Sequence, residues 1–272
     1  MSKLEVLCTS MMQENLEIVK KMNIRSDVVV ANQCDRTDFI ESVINGYKIR
    51  MISTETRGVG KNRNISLLYA SGDILLFADD DMKYTDTYAV DIVKEFDEHP
   101  NADVMIFNIE SNSEKRKQKQ NSKTRRISKI TRLPYGAPRI AIKKSSWEKS
   151  NVWFTTLFGG GAKYTSGEDS IFLQELKRAG LNIYLSRVTI GVVDMSQSSW
   201  FSGRNEEYFF NKGAFCASEH KKLIFLWKLY YCVRIKAPLP LLKKIKSFDL
   251  GVTGYKTGKS YRDMFLNKAS TR

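Results

Sequence analysis

Residues 72–82 read GDILLFADDDM. Residues 74–78 are an unbroken apolar run of strand length, the pattern of a strand buried on both faces of a parallel sheet. The run ends on three consecutive carboxylates, Asp79, Asp80 and Asp81. Like charges delivered at the edge of a buried strand are unfavourable unless a cation sits there. Hard divalent ions take carboxylate oxygens and share them with substrate phosphates. Ligand sites in open α/β sheets lie at the C-terminal ends of the strands. The stretch therefore reads as a metal–diphosphate site. The alternative is an acidic turn that only caps the helix after it.

The pattern extends outward on both sides. Upstream, residues 4–8, 27–31 and 47–52 read as strands, and 14–22 as a helix with Leu16, Val19 and Met22 at helical spacing. Residues 58–64, GVGKNRN, form a glycine-bearing turn into a helix over 64–70. The turn lacks the GxxxxGK-S/T spacing of a P-loop, which excludes that motif. Lys61 and Arg63 stand to hold phosphates near the carboxylates, or else form a polar helix entry. Downstream, 86–96 is an amphipathic helix, 103–108 a strand, and 139–142 resumes strand character. Glu168 and Asp169 open a helix with Phe172, Leu173 and Leu176 facing inward. Carboxylates in a first helical turn are often only dipole partners. The alternation predicts an α/β fold, a mostly parallel sheet flanked by helices.

A hydrophobic content of 42% and 27% charged residues over 272 residues are ordinary for a chain with a real core. The charge is not ordinary. Residues 111–150 and 211–272 each net +11, which leaves the remainder at −8 against a total of +14. Two basic patches outside an acidic body suit an anionic surface or substrate better than a nucleic-acid wrapper. Residues 111–132 are almost wholly polar and are expected to be a mobile basic insertion. Cys8, Cys34, Cys216 and Cys232 have no metal-ligand spacing and read as reduced and buried. The two histidines, His99 and His220, assemble no Ser-His-Asp or Cys-His set. The apolar run in 1–10 is too short for a signal peptide.

Three pieces, RGVGKNRNISLLYASGDILLFADDDM (57–82), FGGGAKYTSGEDSIFL (158–173) and SSWFSGRNEEYFFNKGA (198–214), carry a resemblance. Over roughly residues 3–215 the chain resembles a family-two glycosyltransferase of the GT-A fold, of the bacterial type that builds capsule, O-antigen or related surface polysaccharide. The resemblance implies an inverting, metal-dependent enzyme. It would move a sugar from a nucleotide-diphosphate donor, with a UDP-sugar expected, to a glycan or polyprenyl-linked glycan. Asp79 and Asp81 occupy the ends of the family's D-x-D motif, with Asp80 between. One of the trio would meet the ribose, and Asp81, aided by Asp79, would hold Mn²⁺ or Mg²⁺. Thr9 and Asp35 lie where the family holds the nucleoside. Asp169 looks like the general base, with Glu168 orienting it or meeting the acceptor. Gly159–161 would border the acceptor. Trp200 and Arg204 lie where the family closes over diphosphate or acceptor. Related enzymes often place a His after the ED helix and a strand; here 190–195 reads IGVVDM, so Asp194 would substitute or the metal would keep an extra water.

The chemistry fits these residues apart from the name. A departing diphosphate builds negative charge, which a divalent ion and Lys/Arg stabilise. The acceptor hydroxyl needs one carboxylate as base. A hydrolase needs two carboxylates flanking the bond. A nucleotidyltransferase would want a glycine- and Arg-rich turn after the first strand, which CTSMMQEN is not. A nucleic-acid binder predicts aromatics interleaved in the basic run, and 111–132 has none.

The last part is set off by composition, giving a transferase domain over 1–218 and a basic helical extension over 219–272. Residues 221–236, KKLIFLWKLYYCVRIK, and 241–250, LLKKIKSFDL, flank the breaker APLP. Basic amphipathic segments with Trp and Leu suit an anionic membrane interface; a helical appendage packed on the domain is the other reading. The apolar run at 223–233 is too short to span a bilayer. The expected location is cytoplasmic, peripheral at the inner face of the inner membrane.

Overall fold

The computed structural model describes residues 2–113, 118–128, 133–194 and 203–265. Its strands form one sheet in the order β3-β4-β2-β1-β5-β9-β7-β10-β6. They are β1 (Leu4–Met11), β2 (Asp27–Gln33), β3 (Asp38–Ile44), β4 (Tyr47–Thr54), β5 (Ile74–Asp79), β6 (Met82–Tyr84), β7 (Val104–Ser111), β8 (Arg125–Arg126), β9 (Ile140–Lys143) and β10 (Ile183–Val193). The centre, β4-β2-β1-β5, is parallel. β9 runs antiparallel between β5 and β7, and β8 pairs with β10 outside the main path.

β5 is buried on both faces, as its apolar run predicts. Ile74, Leu76 and Ala78 enter one core, closed by α1 (Glu17–Lys21) and α3 (Tyr88–Glu98). Leu75 and Phe77 enter the other, closed by α2 (Val59–Leu68), α4 (Lys144–Ser150) and α5 (Glu168–Arg178). Phe77 meets Phe154 and Phe172 edge-on at 5.1 and 5.5 Å, and those two stack at 3.8 Å. Full burial of each such ring contributes about 1.5–3 kcal/mol, so this cluster holds α5 firmly beneath the end of β5. All four cysteines are buried.

Of the polar stretch 111–132, residues 118–128 are among those described, together with 111–113. Buried hydrogen bonds hold 118–128 to the sheet. Asn121 is buried; its N–H donates to Asn108 Oδ1 at 2.7 Å, and its Nδ2 donates to the Ile106 and Ser186 carbonyls, both at 3.1 Å. Tyr135 donates its hydroxyl to Asn121 Oδ1 at 3.1 Å. Arg125 and Arg126 then pair with Leu185 and Tyr184. Asn121→Ala should leave several of these groups unsatisfied and cost about 1–3 kcal/mol, read as a lower urea midpoint. An unchanged midpoint would mean that water replaces the side chain.

The chain forms two compact units, Met1–Thr155 with Asp169–Ser198, and Thr156–Glu168 with Ser199–Arg272. This is a division by packing, distinct from the composition break expected at 218. In the second unit, α6 (Glu206–Glu219) crosses α8 (Leu241–Thr257) at very close range. A Cβ on Gly213 would lie 2.0 Å from the Phe248 carbonyl oxygen, and one on Gly251 would lie 1.9 Å from that of Phe210. Here glycine is required so that two backbones can touch. α7 (Ile224–Leu229) and α9 (Tyr261–Phe265) complete the unit. Among the described residues no helix is long and apolar enough to cross a membrane.

Candidate active site

The parallel register of β1 and β5 sets Thr9 opposite Asp79. Thr9 Oγ1 donates to Asp79 Oδ1 at 2.9 Å, and Ser10 Oγ donates to Asp80 Oδ2 at 2.7 Å. Adjacent hydroxyls at the end of one strand thus fix two carboxylates at the end of the next. Thr9, expected at the nucleoside, holds its hydroxyl on Asp79 of the acidic trio.

Helix α2 seats the next group. Asn62 is buried and its Nδ2 donates to the Ala31 carbonyl at 2.6 Å and the Ser10 carbonyl at 3.2 Å. This ties the first turn of α2 to the ends of β1 and β2. The turn also approaches the chain at Thr155 closely: a Cβ on Gly60 would stand 2.2 Å from the Thr155 carbonyl oxygen. Gly60 therefore serves backbone approach, and Gly58, at φ 118°, supplies the turn ahead of it. Lys61 is exposed on this turn.

Arg63 is buried and lies between two acidic groups. Its Nη1 donates to Asp169 Oδ1 at 2.6 Å and its Nη2 to Asp79 Oδ1 at 3.0 Å. The guanidinium also lies 5.3 Å from the Phe154 ring centre. Arg63 was expected on phosphates; it is committed to carboxylates, because its side chain is only 3% exposed and turned into the sheet edge. Its planar fork suits bridging two acceptors. Asp169 is held on both oxygens, since the Ala137 N–H donates to its Oδ2 at 3.0 Å.

Asp81 differs from its neighbours. Its Oδ1 is buried with no hydrogen-bond partner. Burial first, then the charges of Asp79 and Asp80, push its carboxyl up to about 7, and Asp194 adds to the shift. Asp194 is brought there by the pairing of Val193 with Met82, after which its N–H donates to the Asp81 carbonyl at 2.9 Å. Asn112 Nδ2 donates to Asp194 Oδ1 at 2.6 Å.

No three His, Cys, Asp or Glu side chains among the described residues converge in metal-binding geometry. Asp81 nonetheless fits a cation: a buried carboxylate oxygen lacking a donor is what a hard ion satisfies. Magnesium-type sites commonly use one or two carboxylates and complete their shell with substrate phosphate and water. Asp79, expected as a second ligand, has its Oδ1 engaged by Thr9 and Arg63.

The other expected residues are placed as follows. Asp35 is exposed just beyond β2 and pairs with Arg57, which also donates to the Cys34 carbonyl at 2.7 Å. Glu168 Oε2 accepts from the Gly167 N–H at 3.0 Å. Arg204 donates to the Lys236 carbonyl at 2.9 Å. Trp200 lies outside the described residues. Sequence reasoning missed Ser10, Asn62 and the Ala137 amide. Ser10 follows Thr9 at a strand end, and Asn62 is a polar residue beside Arg63 in a helix entry; a backbone amide leaves no side-chain signal.

The sequence profile described as glycosyl transferase family 2 matches residues 9–156. The chain belongs to glycosyl transferase family 2. It is a glycosyltransferase, and the match takes in the acidic trio and Arg63 while ending before Asp169. Among solved structures this transferase is similar to S. aureus TarS. Residues 1–349 of TarS in complex with UDP-GlcNAc align with TM-score 0.60 and 17% identity, over 96% of this chain and 93% of that one. The same TarS segment with UDP aligns with TM-score 0.56, 17% identity and the same coverage. A longer TarS structure gives TM-score 0.56 and 19% identity, over 99% of this chain and 45% of that one. At such identities the likeness shows the fold, which is GT-A. Compared with curated proteins by sequence, the chain has no match.

Proposed function

We propose that this transferase moves a sugar from a UDP-sugar, with inversion, to a hydroxyl of a glycan or polyprenyl-linked glycan in bacterial surface polysaccharide synthesis. The observation that carries it is the Arg63 bridge. One buried cation joins Asp79, at the end of β5, to a further carboxylate, Asp169, held on both oxygens. The TarS structures with UDP-GlcNAc and UDP support the donor class.

In this reading Asp169 takes the proton of the acceptor hydroxyl as that oxygen attacks the anomeric carbon. The bond to the donor diphosphate breaks, and its electrons leave with the diphosphate. A single base and a single displacement give inversion. Arg63 orients Asp169 and keeps it ionised. Asp80 and Asp35 serve the nucleoside end, Lys61 the phosphates, Glu168 the acceptor side, and Trp200 and Arg204 the diphosphate or the acceptor. Mn²⁺ or Mg²⁺, with Asp81 as ligand and Asp194 behind it, would supply electrostatic stabilisation of the leaving diphosphate.

The direct test is hydrolysis and transfer across a panel of nucleotide sugars, with and without Mn²⁺. No turnover of any donor would remove the proposal. Asp81→Asn tests the cation ligand. It should abolish Mn²⁺-dependent UDP binding in calorimetry while the fold survives. The pH dependence has a definite sign. The unfolded carboxyl titrates near ~3.9 and the folded one at about 7. Ionising it in the fold therefore costs stability progressively as pH rises between those values, and fully above 7. In metal-free buffer at pH 8 the variant should melt above the wild type by ~2–4 °C, and the gain should vanish toward pH 4. Unchanged Mn²⁺-dependent UDP binding would end Asp81's assignment.

A further inference from the structure

We propose that α7 and the start of α8 form a face that docks on the surface of an anionic lipid bilayer. Exposed large apolar residues are scattered over most of the described chain, but eight of them fall within residues 223–242. Phe225, Leu226, Leu229 and Val233 lie at positions i, i+1, i+4 and i+8, one stripe of a helix. Phe225 is 73% exposed, and Leu242, in the first turn of α8, is 80% exposed.

The opposite side of the same segment is engaged. Trp227 stacks on His220 at 4.6 Å, Tyr231 and Cys232 are buried, and Lys228 pairs with Asp249 at 2.9 Å. The segment is therefore anchored in its own unit without using the apolar stripe. The tryptophan of this segment thus turns its ring inward, and Leu226 and Leu229 are the exposed apolar residues beside it.

The charge around the stripe chooses the occupant. Residues 221–246 carry eight Lys/Arg and no acid. Lys221, Lys222, Arg234, Lys236, Lys243 and Lys246 are all exposed. A second copy seated on this face would set like charges against like, which opposes association. A plane of anionic headgroups complements it, with the lysines at the phosphates and the apolar stripe below them. A groove of about 670 Å³ beside the first turn of α7 repeats the pattern, with Lys221 and Lys256 over Ile224 and Tyr255. With no spanning helix among the described residues, this contact is interfacial.

The test is vesicle flotation of the full chain. Phosphatidylcholine vesicles containing phosphatidylglycerol should carry the protein up, with partial release in high salt; pure phosphatidylcholine should not. The double variant Phe225→Ser/Leu229→Ser should bind at least ~tenfold more weakly, and Lys221→Glu/Lys222→Glu should lose the preference for the anionic lipid. Both pairs are exposed, so the fold and donor hydrolysis in solution should be unchanged. Failure of the wild type to float, or equal flotation of the variants, overturns the proposal. So does a dimer in solution that Phe225→Ser/Leu229→Ser dissociates, since a second copy would then cover the face. Donor hydrolysis on the same samples is a separate readout, so failure of the enzymatic reading is told apart from failure of this one.

Discussion

Asp169→Asn should retain UDP binding and lose turnover by ~10²–10⁴, the usual cost of removing a general base. The side chain is held on both oxygens. Arg63 donates to one oxygen and the Ala137 amide to the other, and both contacts favour the carboxylate over the carboxylic acid. Asparagine keeps an acceptor for Arg63 but presents an NH₂ group to the Ala137 N–H, so a modest loss of stability should accompany the kinetic loss. Donor affinity separates the two effects: it should stay within a few-fold of wild type while kcat falls. Wild-type turnover would mean that Asp169 is only a partner of the helix terminus.

Arg63→Met should be the most destabilising single change at the site. It leaves Asp79 and Asp169, 35% and 21% exposed, facing each other without their shared cation. Removing one partner of a buried ion pair costs about 3–5 kcal/mol; the partial exposure of both carboxylates puts the expectation at the low end. Arg63→Lys keeps the charge but cannot fork to two acceptors. It should recover part of the stability and little of the turnover. Urea midpoints for the three proteins, with kcat beside them, test this ordering. A wild-type midpoint for Arg63→Met would show that the bridge contributes nothing net.

How much of this was legible in the sequence depended on the kind of signal. β5 announced itself because a run of five apolar residues ending on carboxylates has few meanings. The helix opened by Glu168 and Asp169 was legible from Phe172, Leu173 and Leu176, and all three are buried. The β3–β4 hairpin was missed although its signal was present: Asn45 and Gly46, with φ of 52° and 82°, are the asparagine–glycine pair that two-residue hairpins favour. β3 is largely exposed, so it lacks the apolar run that marked its neighbours. The inward direction of Arg63 was not legible, because an arginine in a helix entry reads the same whether it meets phosphate or carboxylate. Only the register of β1 against β5, and the seating of α2 by Asn62, place an acid on each side of it. Residues 118–128 read as a solvated loop because their composition is polar, and composition does not show that a single asparagine satisfies two carbonyls and a hydroxyl.

The crossing of α6 and α8 limits how this protein can drift. At most packed positions a larger residue on one side can be matched by a smaller one opposite. At Gly213 and Gly251 the opposing atoms are the Phe248 and Phe210 carbonyl oxygens, and a main chain has nothing to trim. Neither site can be rescued by a compensating substitution across the crossing, so both are closed to every residue with a side chain while the two helices keep this spacing. A lineage that lost either glycine would have to move the helices apart, and with them the segment between that carries α7.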